Sequence, residues 1–395
     1  MKKVVLCGDG MGDYPVESLG NRSPLQAADI PHIRRIAAAG KIKMVQTVPD
    51  GMAPGSDVAN LGLLGYDPAE NYTGRAPIEA AGADIPMEPD DVAVRCNLVT
   101  VKDGIMVDYS AGHITTEDAH PMIETLQQEL GRDGLEFRGG VQYRHLIIWN
   151  QGPDNLTTQP PHDIADKEAA PYWPSGERAD EFCDLMEKSK AILADHPVNQ
   201  RRIREGRNPA TQIWLWGQGR ALSVDTYQQL YNGLNGGVIS AVDLVRGIGL
   251  LAGLQAPIIP GATGFTDTNY AGKVEKGLDI LAEHDFAYIH IEAPDECGHL
   301  GDAAMKTGAI EAFDEKVVGP VWREMEKRGD PYRLIICMDH RTPVALKGHT
   351  PEPVPLAILE GPVGPVEAEA DFDENENGGV ANAVSHELIQ DFLRS

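Results

Sequence analysis

An aspartate and a histidine follow one apolar, β-prone segment at a spacing that suits metal binding. The segment covers residues 286–291 and leads into a polar stretch that carries Asp295 and, four residues later, His299. Because residues four apart lie on the same side of a helical turn, both side chains could reach one ion. The alternative for this pair is a helix-capping aspartate with an unrelated surface histidine.

A second apolar segment ends in the same kinds of side chain. Residues 334–338 run directly into Asp339 and His340, and His349 follows nine residues later. Open α/β sheets bind ligands at the carboxyl ends of parallel strands, so both segments place these side chains where a site is expected. Oxygen and nitrogen ligands together suit transition metals. The pattern predicts two divalent ions, and two neighbouring ions are typical of phosphoryl transfer.

Two residues nearer the amino terminus extend this predicted site. Asp9 lies between two glycines after the apolar run 4–7, where the backbone could approach an ion or a phosphate closely. An Asx-turn is the alternative for Asp9. Ser56 follows Gly55 at a predicted helix start, whose positive end would stabilise an alkoxide or a phosphate. Ser56 is therefore the candidate nucleophile for a phosphoserine intermediate, with an ordinary N-cap serine as the alternative.

A chain this acidic needs a local positive site if it is to bind an anionic substrate. Its 60 acidic and 34 basic residues give a formal net charge of -26. Arginine binds phosphate and carboxylate through two parallel hydrogen bonds. The candidate substrate-binding residues are Arg75, Arg95, Arg144, Arg220 and Lys273, together with His113 and His162. Apart from Arg75, which follows a glycine, the alternative for most of the cations is a surface salt bridge.

Composition excludes several classes of partner. The negative charge argues against nucleic-acid binding, which requires a basic face. No apolar run approaches the length of a membrane span, and the amino-terminal run is too short for a secretion signal. Five widely spread cysteines without paired spacing indicate reduced thiols, which predicts a cytoplasmic protein. The sequence carries no signal for the oligomeric state.

Alternating apolar strand-like and helical segments predict the fold class. Alternation before residue 107 and after residue 236 indicates an α/β core with a doubly wound, mostly parallel sheet. Within it we expect a strand at residues 92–101, a helix at residues 303–328 and a solvated loop at the acidic run 367–376. Residues 108–235 are rich in Pro, Trp and Tyr and contain the predicted helix 116–130. We therefore expect a discontinuous core domain of residues 1–107 and 236–395, with a smaller α+β cap domain of residues 108–235 inserted into it.

Several motifs follow one another along nearly the whole chain in the order found in one known family. They are Gly8–Asp13, Pro54–Asp57, Gly65–Pro68, Tyr72–Pro77, Arg95–Asn97, Gly261–Gly264, Asp295–His299 and Asp339–His340. Together they resemble the archaeal-type, cofactor-independent phosphoglycerate mutases of the alkaline phosphatase superfamily. The resemblance implies an alkaline-phosphatase-like fold, a phosphoserine at Ser56 and two divalent ions, for which Mn, Zn, Mg and Co are all compatible.

The same resemblance implies how the ions would be divided among the ligands. One ion would be held by Asp9, Ser56, Asp339 and His340, and the other by Asp295, His299 and His349. A metal-binding protein without activity is a further alternative, and the presence of suitable residues at all seven positions counts against it.

A finer resemblance points to one branch of the family. The segments that carry it are Tyr109–Ile114, Tyr143–Leu146, Ile213–Arg220 and His349–Pro355. They resemble the branch proposed to act as homoserine kinases, which implies homoserine and ATP as partners in threonine biosynthesis. The alternative is interconversion of 3-phosphoglycerate and 2-phosphoglycerate in glycolysis. Hydrolysis of a phosphomonoester is a third alternative. Arg341 stands where mutases of the family tend to have a small hydroxyl residue. It could bind a nucleotide phosphate or a different substrate, or it could point to solvent.

Overall fold

The computed structural model describes residues 1–394, which form two compact units. The core unit contains Met1–Tyr72 and the chain from Ser223 onward, and the inserted unit is Thr73–Leu222. These boundaries differ from the expected 108 and 235. The strand Asp91–Lys102, which we expected in the core, pairs with strands of the inserted unit instead. At the other boundary, the Tyr227 hydroxyl donates to the carbonyl of Leu64 at 2.9 Å, which ties the segment after residue 222 to the core unit.

The regular elements are numbered in chain order. The strands are β1 (Lys2–Gly8), β2 (Lys41–Gln46), β3 (Asp91–Lys102), β4 (Ile105–Asp108), β5 (Leu135–Arg138), β6 (Arg144–Asn150), β7 (Leu156–Thr157), β8 (Ser175–Gly176), β9 (Gln212–Arg220), β10 (Gly236–Ile239), β11 (Phe286–Ile291), β12 (Tyr332–Cys337), β13 (Val354–Gly361) and β14 (Ala383–Val384). The helices are α1 (Pro24–Ala27), α2 (Pro31–Ala39), α3 (Ser56–Leu63), α4 (Pro68–Asn71), α5 (Arg75–Gly82), α6 (Thr116–Leu130), α7 (Ala179–Ala194), α8 (Pro197–Arg204), α9 (Tyr227–Leu230), α10 (Asp243–Leu251), α11 (Tyr270–Glu283), α12 (Ala293–Leu300), α13 (Ala303–Phe313), α14 (Gly319–Arg328) and α15 (Ser385–Arg394).

The core unit is built on one sheet with the strand order β10-β11-β1-β12-β13-β2-β14. The strands β10, β11, β1 and β12 are parallel neighbours, and β13 pairs antiparallel with both β12 and β2. Every residue of β11 is buried, as a parallel strand covered on both faces requires. The predicted α/β class with a mostly parallel central sheet is confirmed.

Parallel pairing brings the carboxyl ends of four strands to one edge of this sheet. In the register, Cys7 of β1 lies beside His290 of β11 and beside Cys337 of β12. The polar residues that follow β1 and β12 therefore emerge next to each other, including Asp9 and Asp339. This edge positions the candidate site.

Two core segments differ from the sequence-based expectation. Residues 303–328, predicted as one helix, form α13 and α14 joined by a π-helical turn at Asp314–Val318. Pro320 has no N–H for an α-helical hydrogen bond, which interrupts the α-helical pattern at this point. The Asp314 carboxylate in the π-helical turn accepts hydrogen bonds from the backbone N–H groups of His32 and Ile33 at the start of α2. The acidic stretch 367–376, expected as a solvated loop, contains the buried Glu374, which accepts hydrogen bonds from Ser23 and Asp13.

The inserted unit has a separate antiparallel sheet around the long strand β3. Strands β4, β6 and β9 all pair with β3, and β5 pairs with β6. The inner face of this sheet packs on α6 and α7 in a hydrophobic core that includes the fully buried Trp214. The helix predicted at residues 116–130 is confirmed as α6.

None of the helices within residues 1–394 combines the length and the apolar composition that a membrane span requires. The five cysteines are free thiols, and all except Cys183 are buried.

Candidate metal centre

The seven ligand residues predicted from the sequence lie together in the core unit. Six of them form two groups whose potential ligand atoms lie within 4.8 Å of one another, namely Asp9, Asp339 and His340, and Asp295, His299 and His349. The rings of His340 and His349 are 4.1 Å apart between centroids, so the two groups are neighbours. The residues therefore converge although they come from widely separated parts of the chain.

The first group is assembled where β1 and β12 end. Asp339 Oδ1 accepts hydrogen bonds from the backbone N–H groups of Gly10 at 3.0 Å and His340 at 2.9 Å. Its other oxygen accepts from Asn60 Nδ2 at 2.8 Å. Asp9 Oδ1 is buried without a hydrogen-bond partner and lies 3.6 Å from His340 Nε2. A buried, unpaired carboxylate oxygen is costly unless a cation binds it, so this group fits a metal ion.

Ser56 lies directly beside the first group. Its hydroxyl oxygen is 3.2 Å from His340 Nε2, and its carbonyl accepts from Asn60 Nδ2 at 3.0 Å. Ser56 is the first residue of α3, whereas Gly55 occupies the N-cap position and no side chain caps this helix. The N-cap alternative for Ser56 is therefore wrong, because Ser56 lies one position after the N-cap and its hydroxyl makes no capping hydrogen bond.

The second group is built by α12 and the loop after β12. His299 Nε2 is 3.1 Å from Asp295 Oδ2 and 3.1 Å from His349 Nε2, and His349 Nε2 is 3.5 Å from Asp295 Oδ1. His299 Nδ1 lies 3.0 Å from the carbonyl of Lys347, which can only accept, so the Nδ1 proton points there. The Nε2 atoms of both histidines then face the same space as the carboxylate, as the ligands of one ion do.

Thr342 connects the two groups. Its hydroxyl donates a short hydrogen bond to Asp295 Oδ1 and lies 3.2 Å from His340 Nδ1, from which it can accept. This arrangement places the His340 proton on Nδ1 and leaves Nε2 as an acceptor for the Ser56 hydroxyl. Gly10 permits the close approach, since a Cβ there would come within 2.6 Å of both Asp295 Oδ1 and Thr342 Oγ1, and its φ is +61°.

The electrostatics of the two groups also fit bound cations. Burial, together with the neighbouring carboxylates of Asp339 and Asp295, raises the pKa of Asp9 well above its ordinary value. Burial lowers the pKa of His340 to about 4, so its imidazole is neutral and able to bind a metal. Burial opposes ionisation of His299, but the Asp295 carboxylate outweighs it and raises the His299 pKa to about 9. Without a cation, a proton on His299 balances part of this negative charge.

Sequence reasoning missed several residues that support these groups. Asn60 links Ser56 to Asp339, and the Tyr288 hydroxyl holds its amide oxygen at 2.6 Å. His290 is fully buried and its Nε2 lies 2.9 Å from Asp9 Oδ2. Asn60 follows Ser56 by one helical turn, and His290 is the one basic residue of the apolar strand β11, so both carried a signal in the sequence.

Two cations bind backbone carbonyls in the structure, namely Lys273, which was expected at the substrate, and Arg341, whose role the sequence left open. Lys273 is 0% exposed, and its ammonium group donates to the carbonyl of His290 at 3.3 Å, so it lies inside the core unit and not on a binding surface. Burial lowers its pKa to about 8 against the opposing effect of Glu292. The Arg341 guanidinium donates to the carbonyl of Pro353 at 2.8 and 3.2 Å, which fixes the neighbouring loop.

In the inserted unit, Arg75 and Arg95 converge on one carboxylate and one aromatic ring. Arg75 Nε donates to Glu79 Oε1 at 2.7 Å, and Arg95 forms a short ion pair with the other oxygen of Glu79. Both guanidinium groups lie over the ring of Trp216, at 5.8 and 5.0 Å from its centroid. Burial alone would raise the pKa of Glu79, but Arg95 and Arg75 outweigh it and lower the pKa to about 2.

Arg144 and His162 join Arg75, Arg95 and Trp216 through aromatic contacts, and we call this group the Trp216 cluster. Arg144 lies 5.5 Å from the Tyr143 ring, which contacts Tyr109 at 5.7 Å. His162 is 6.1 Å from Tyr109 and 5.5 Å from Trp216, measured between ring centroids. Four of the candidate substrate residues are thereby linked within the inserted unit, namely Arg75, Arg95, Arg144 and His162.

The remaining two candidates have other surroundings. Arg220 forms a short ion pair with Asp154 and is about half exposed, as a surface salt bridge is. His113 is an exposed loop residue with φ 45°, and its backbone N–H donates to Ser110 Oγ at 3.0 Å. Arg220 thus pairs with Asp154 and His113 with Ser110, and both of these partners lie outside the Trp216 cluster.

The chain resembles known proteins over its whole length. A sequence model of the family described as 2,3-bisphosphoglycerate-independent phosphoglycerate mutase matches residues 37–199. A protein of Methanosarcina barkeri with that name is 47% identical over 395 residues, covering 98% of this chain and 98% of that protein. A protein of Methanothrix thermoacetophila with the same name is 48% identical over 392 residues, covering 99% of both. A solved structure of a Pyrococcus horikoshii protein has a TM-score of 0.81 at 25% identity, covering 100% of this chain and 98% of that one.

These comparisons overturn one expectation and confirm another. The expectation of homoserine phosphorylation, with ATP as donor in threonine biosynthesis, is wrong, since full-length relatives at this identity are named phosphoglycerate mutases. The predicted family is confirmed: this chain belongs to the 2,3-bisphosphoglycerate-independent phosphoglycerate mutases.

Proposed function

We propose that this protein interconverts 3-phosphoglycerate and 2-phosphoglycerate, with Ser56 carrying the phosphoryl group between the two positions. The observation that carries the proposal is the position of Ser56 Oγ, 3.2 Å from His340 Nε2, beside two carboxylate–histidine groups. The names of the full-length relatives support the substrate. Free thiols, most of them buried, support a cytoplasmic setting.

Two divalent ions are part of the proposal. Asp9, Ser56, Asp339 and His340 would hold one, and Asp295, His299 and His349 the other. Mixed carboxylate and imidazole ligands are compatible with Mn, Zn, Mg or Co. When bound, the ions would lower the pKa of the serine hydroxyl and stabilise the negative charge on the transferring phosphoryl group.

The transfer takes place in two steps, first from the substrate to Ser56 and then from Ser56 to the neighbouring hydroxyl of the glycerate. Ser56 Oγ loses its proton and attacks phosphorus, the bond from phosphorus to the glycerate oxygen breaks, and that oxygen takes up a proton. The neighbouring hydroxyl of the glycerate then loses its proton and attacks the phosphoserine, which releases Ser56 as the hydroxyl after reprotonation. The first residue of α3 is a favourable place for a phosphoserine, because the free N–H groups of the helix start stabilise its charge.

The glycerate must be retained between the two transfers, and water must not reach the phosphoserine. We propose that Arg75 and Arg144 bind the carboxylate or phosphate of the substrate. Arg75 and Arg95 bring two guanidinium groups to Glu79 and the Trp216 ring, and guanidinium groups bind phosphate and carboxylate through parallel hydrogen bonds. His162, which contacts Trp216, is the hydrogen-bonding group that we propose beside them.

The test compares Ser56→Ala with the wild-type protein and with Ser385→Ala, which alters a buried serine elsewhere in the core unit. We expect Ser56→Ala to lose mutase turnover by at least about 10³-fold, as removal of a covalent nucleophile does. Acid quenching with radiolabelled phosphoglycerate should trap label on the wild type and on Ser385→Ala but not on Ser56→Ala. Undiminished turnover by Ser56→Ala would refute the relay, and free phosphate released as fast as product forms would indicate a hydrolase.

A further inference from the structure

We infer that His290 and Ser240 are positioning residues that fix Asp9 so that a single carboxylate oxygen faces the metal centre. The inference rests on the proposed metal binding at Asp9. It concerns residues that lie behind the predicted ligands and that need not touch an ion or the substrate themselves.

The three residues form a hydrogen-bonded chain across three neighbouring strands. Ser240 follows β10, His290 lies in β11, and Asp9 follows β1, and these strands are adjacent and parallel. Ser240 Oγ is 3.2 Å from His290 Nδ1, and His290 Nε2 is 2.9 Å from Asp9 Oδ2. All three side chains are at most 1% exposed, so solvent does not replace these partners.

The direction of each hydrogen bond follows from the outermost donor. The backbone N–H of Val242 donates to Ser240 Oγ at 3.0 Å, so the hydroxyl proton of Ser240 is available to donate to His290 Nδ1. With Nδ1 as the acceptor, the proton of the neutral imidazole is on Nε2, from which it donates to Asp9 Oδ2. Ser240 thus selects the tautomer of His290 that holds Asp9.

This chain leaves the two oxygens of Asp9 in different situations. Oδ2 accepts from His290, whereas Oδ1 is buried without a hydrogen-bond partner and lies 3.6 Å from His340 Nε2. Hydrogen bonds behind a ligand orient it and tune its affinity for metal. The Asp9 carboxylate is therefore prepared to offer Oδ1 alone to an ion in the first group.

A third ion is the rival explanation for the same residues. Ligand atoms of Asp9, His290 and Glu292 lie within 4.8 Å of one another, as in a metal site. However, the fully buried Lys273 donates to the carbonyl of His290 at 3.3 Å, which brings a positive charge to this cluster. A divalent cation would be repelled by that ammonium group. The geometry therefore favours His290 as a positioning residue and not as a ligand.

The experiment titrates the metal-free protein with Mn²⁺ and compares four variants with the wild type. His290→Ala removes the donor to Asp9, His290→Gln keeps an N–H donor, Ser240→Ala removes the tautomer control, and Ser385→Ala is the matched control. We expect two Mn²⁺ sites in the wild type, with the affinity of one site about 10- to 100-fold lower in His290→Ala. Ser240→Ala should show a smaller loss at the same site, His290→Gln should recover part of the affinity, and the second site should keep its wild-type affinity.

Ser240→Ala removes one oxygen atom, so it keeps the test valid if the His290 variants fail to fold. Equal weakening of both sites, or wild-type affinity in Ser240→Ala and His290→Ala, would overturn the inference. Three Mn²⁺ ions in the wild type with loss of one in His290→Ala would make His290 a ligand and would also overturn it. A wild-type protein that binds no Mn²⁺, Zn²⁺, Mg²⁺ or Co²⁺ would instead refute the proposed function, and the inference with it.

Discussion

Glu79 holds two arginines of the Trp216 cluster together, since Arg75 and Arg95 both pair with its carboxylate. Its carboxylate is mostly buried between Arg75 and Arg95, and both arginines stabilise its charged form. An acid whose pKa is lowered by folding stabilises the native state above its unfolded pKa, and this contribution is lost as the pH falls through the folded value. For Glu79 the window extends from 4.5 down to about 2.

We expect Glu79→Gln to lower the free energy of unfolding by about 3 kcal/mol at neutral pH, because the buried Arg95 loses its counter-charge. The difference from the wild type should shrink as the pH falls from 4.5 toward 2, where the wild-type carboxylate also becomes protonated. Urea unfolding followed by tryptophan fluorescence measures this, since four of the five tryptophans lie in the inserted unit. Glu136→Gln, an exposed pair partner of Arg138, should show no measurable change. A difference that stays constant down to pH 3 would contradict the lowered pKa.

For single residues, the sequence indicated the proposed metal ligands more clearly than the residues that form hydrogen bonds to them. Asp9, Asp339 and His340 were identifiable because each follows an apolar strand-like segment. Thr342 and Ser240 were not, since their roles depend on hydrogen bonds to residues far away in the chain. For Arg341 the sequence left a substrate contact and a solvent-exposed position open, but a carbonyl within its own loop binds the guanidinium. Such local partners cannot be inferred from residue type and spacing.

Among the helices, α13 fastens the two loops that carry the first group. Lys306 is fully buried, and its ammonium group donates to the carbonyls of Gly12 and Thr342, each at 2.8 Å, and to Asp13 Oδ2 at 2.9 Å. Asp13 in turn accepts from the backbone N–H of Val344 at 3.1 Å. One lysine therefore connects the loop after β1 with the loop after β12.

We expect Lys306→Met to destabilise the metal-free protein by about 3–5 kcal/mol, because it leaves Asp13 as a buried charge without its partner. Combining it with Asp13→Asn should recover a part of this loss, about 1–2 kcal/mol, since the uncompensated charge is then removed. Urea unfolding in the presence of a chelator measures both variants. Lys327→Met, on an exposed lysine of α14, is the control and should leave stability unchanged. A loss of less than about 0.5 kcal/mol in Lys306→Met would contradict this role.

The elements themselves were largely predictable, but their assignment to a sheet was not. The strand β11 and the helix α6 were predicted from apolar periodicity with their observed bounds. The strand β3 was also recognised, and ten of its twelve residues are buried. Its pattern does not reveal its neighbours, so it was assigned to the core sheet although it pairs with β6 and β9. Pairing partners are set by the tertiary structure and leave no trace in the period of one segment.

For the whole molecule, the presence of two hydrophobic cores has a consequence for stability. One core contains residues of the central sheet and its helices, and the other contains residues of β3, β6, β9, α6 and α7. Both candidate metal groups belong to the core unit. A ligand stabilises the part of a protein that binds it, so metal should act on one unit.

We expect removal of metal to lower the unfolding temperature of the core unit and to leave that of the inserted unit unchanged. At a metal concentration one hundred times Kd, each site should stabilise the core unit by about 3 kcal/mol. Trp322→Phe confines the tryptophan signal to the inserted unit, so fluorescence and calorimetry can be compared with and without chelator. A fluorescence transition that shifts as far as the calorimetric one would contradict separate stabilisation.

The reaction was the least predictable property at this scale. The metal-binding motifs are compatible with both reactions that we considered, so they identified the family without identifying the acceptor. Identity over nearly the full chain decided for the mutases. Different acceptors are distinguished by the residues that contact the substrate. The residues that we propose for this role become apparent from their contacts around Trp216, not from their spacing along the chain.

The division of the core unit into two chain segments also sets an order for protein synthesis. Asp9 and Ser56 leave the ribosome before the inserted unit, whereas Asp295, Asp339 and His349 leave it afterwards. The inserted unit is one continuous segment and can begin to fold as soon as it has been translated. The nascent protein therefore cannot complete either ion site until the segment 339–349 has been translated, well after the inserted unit has left the ribosome.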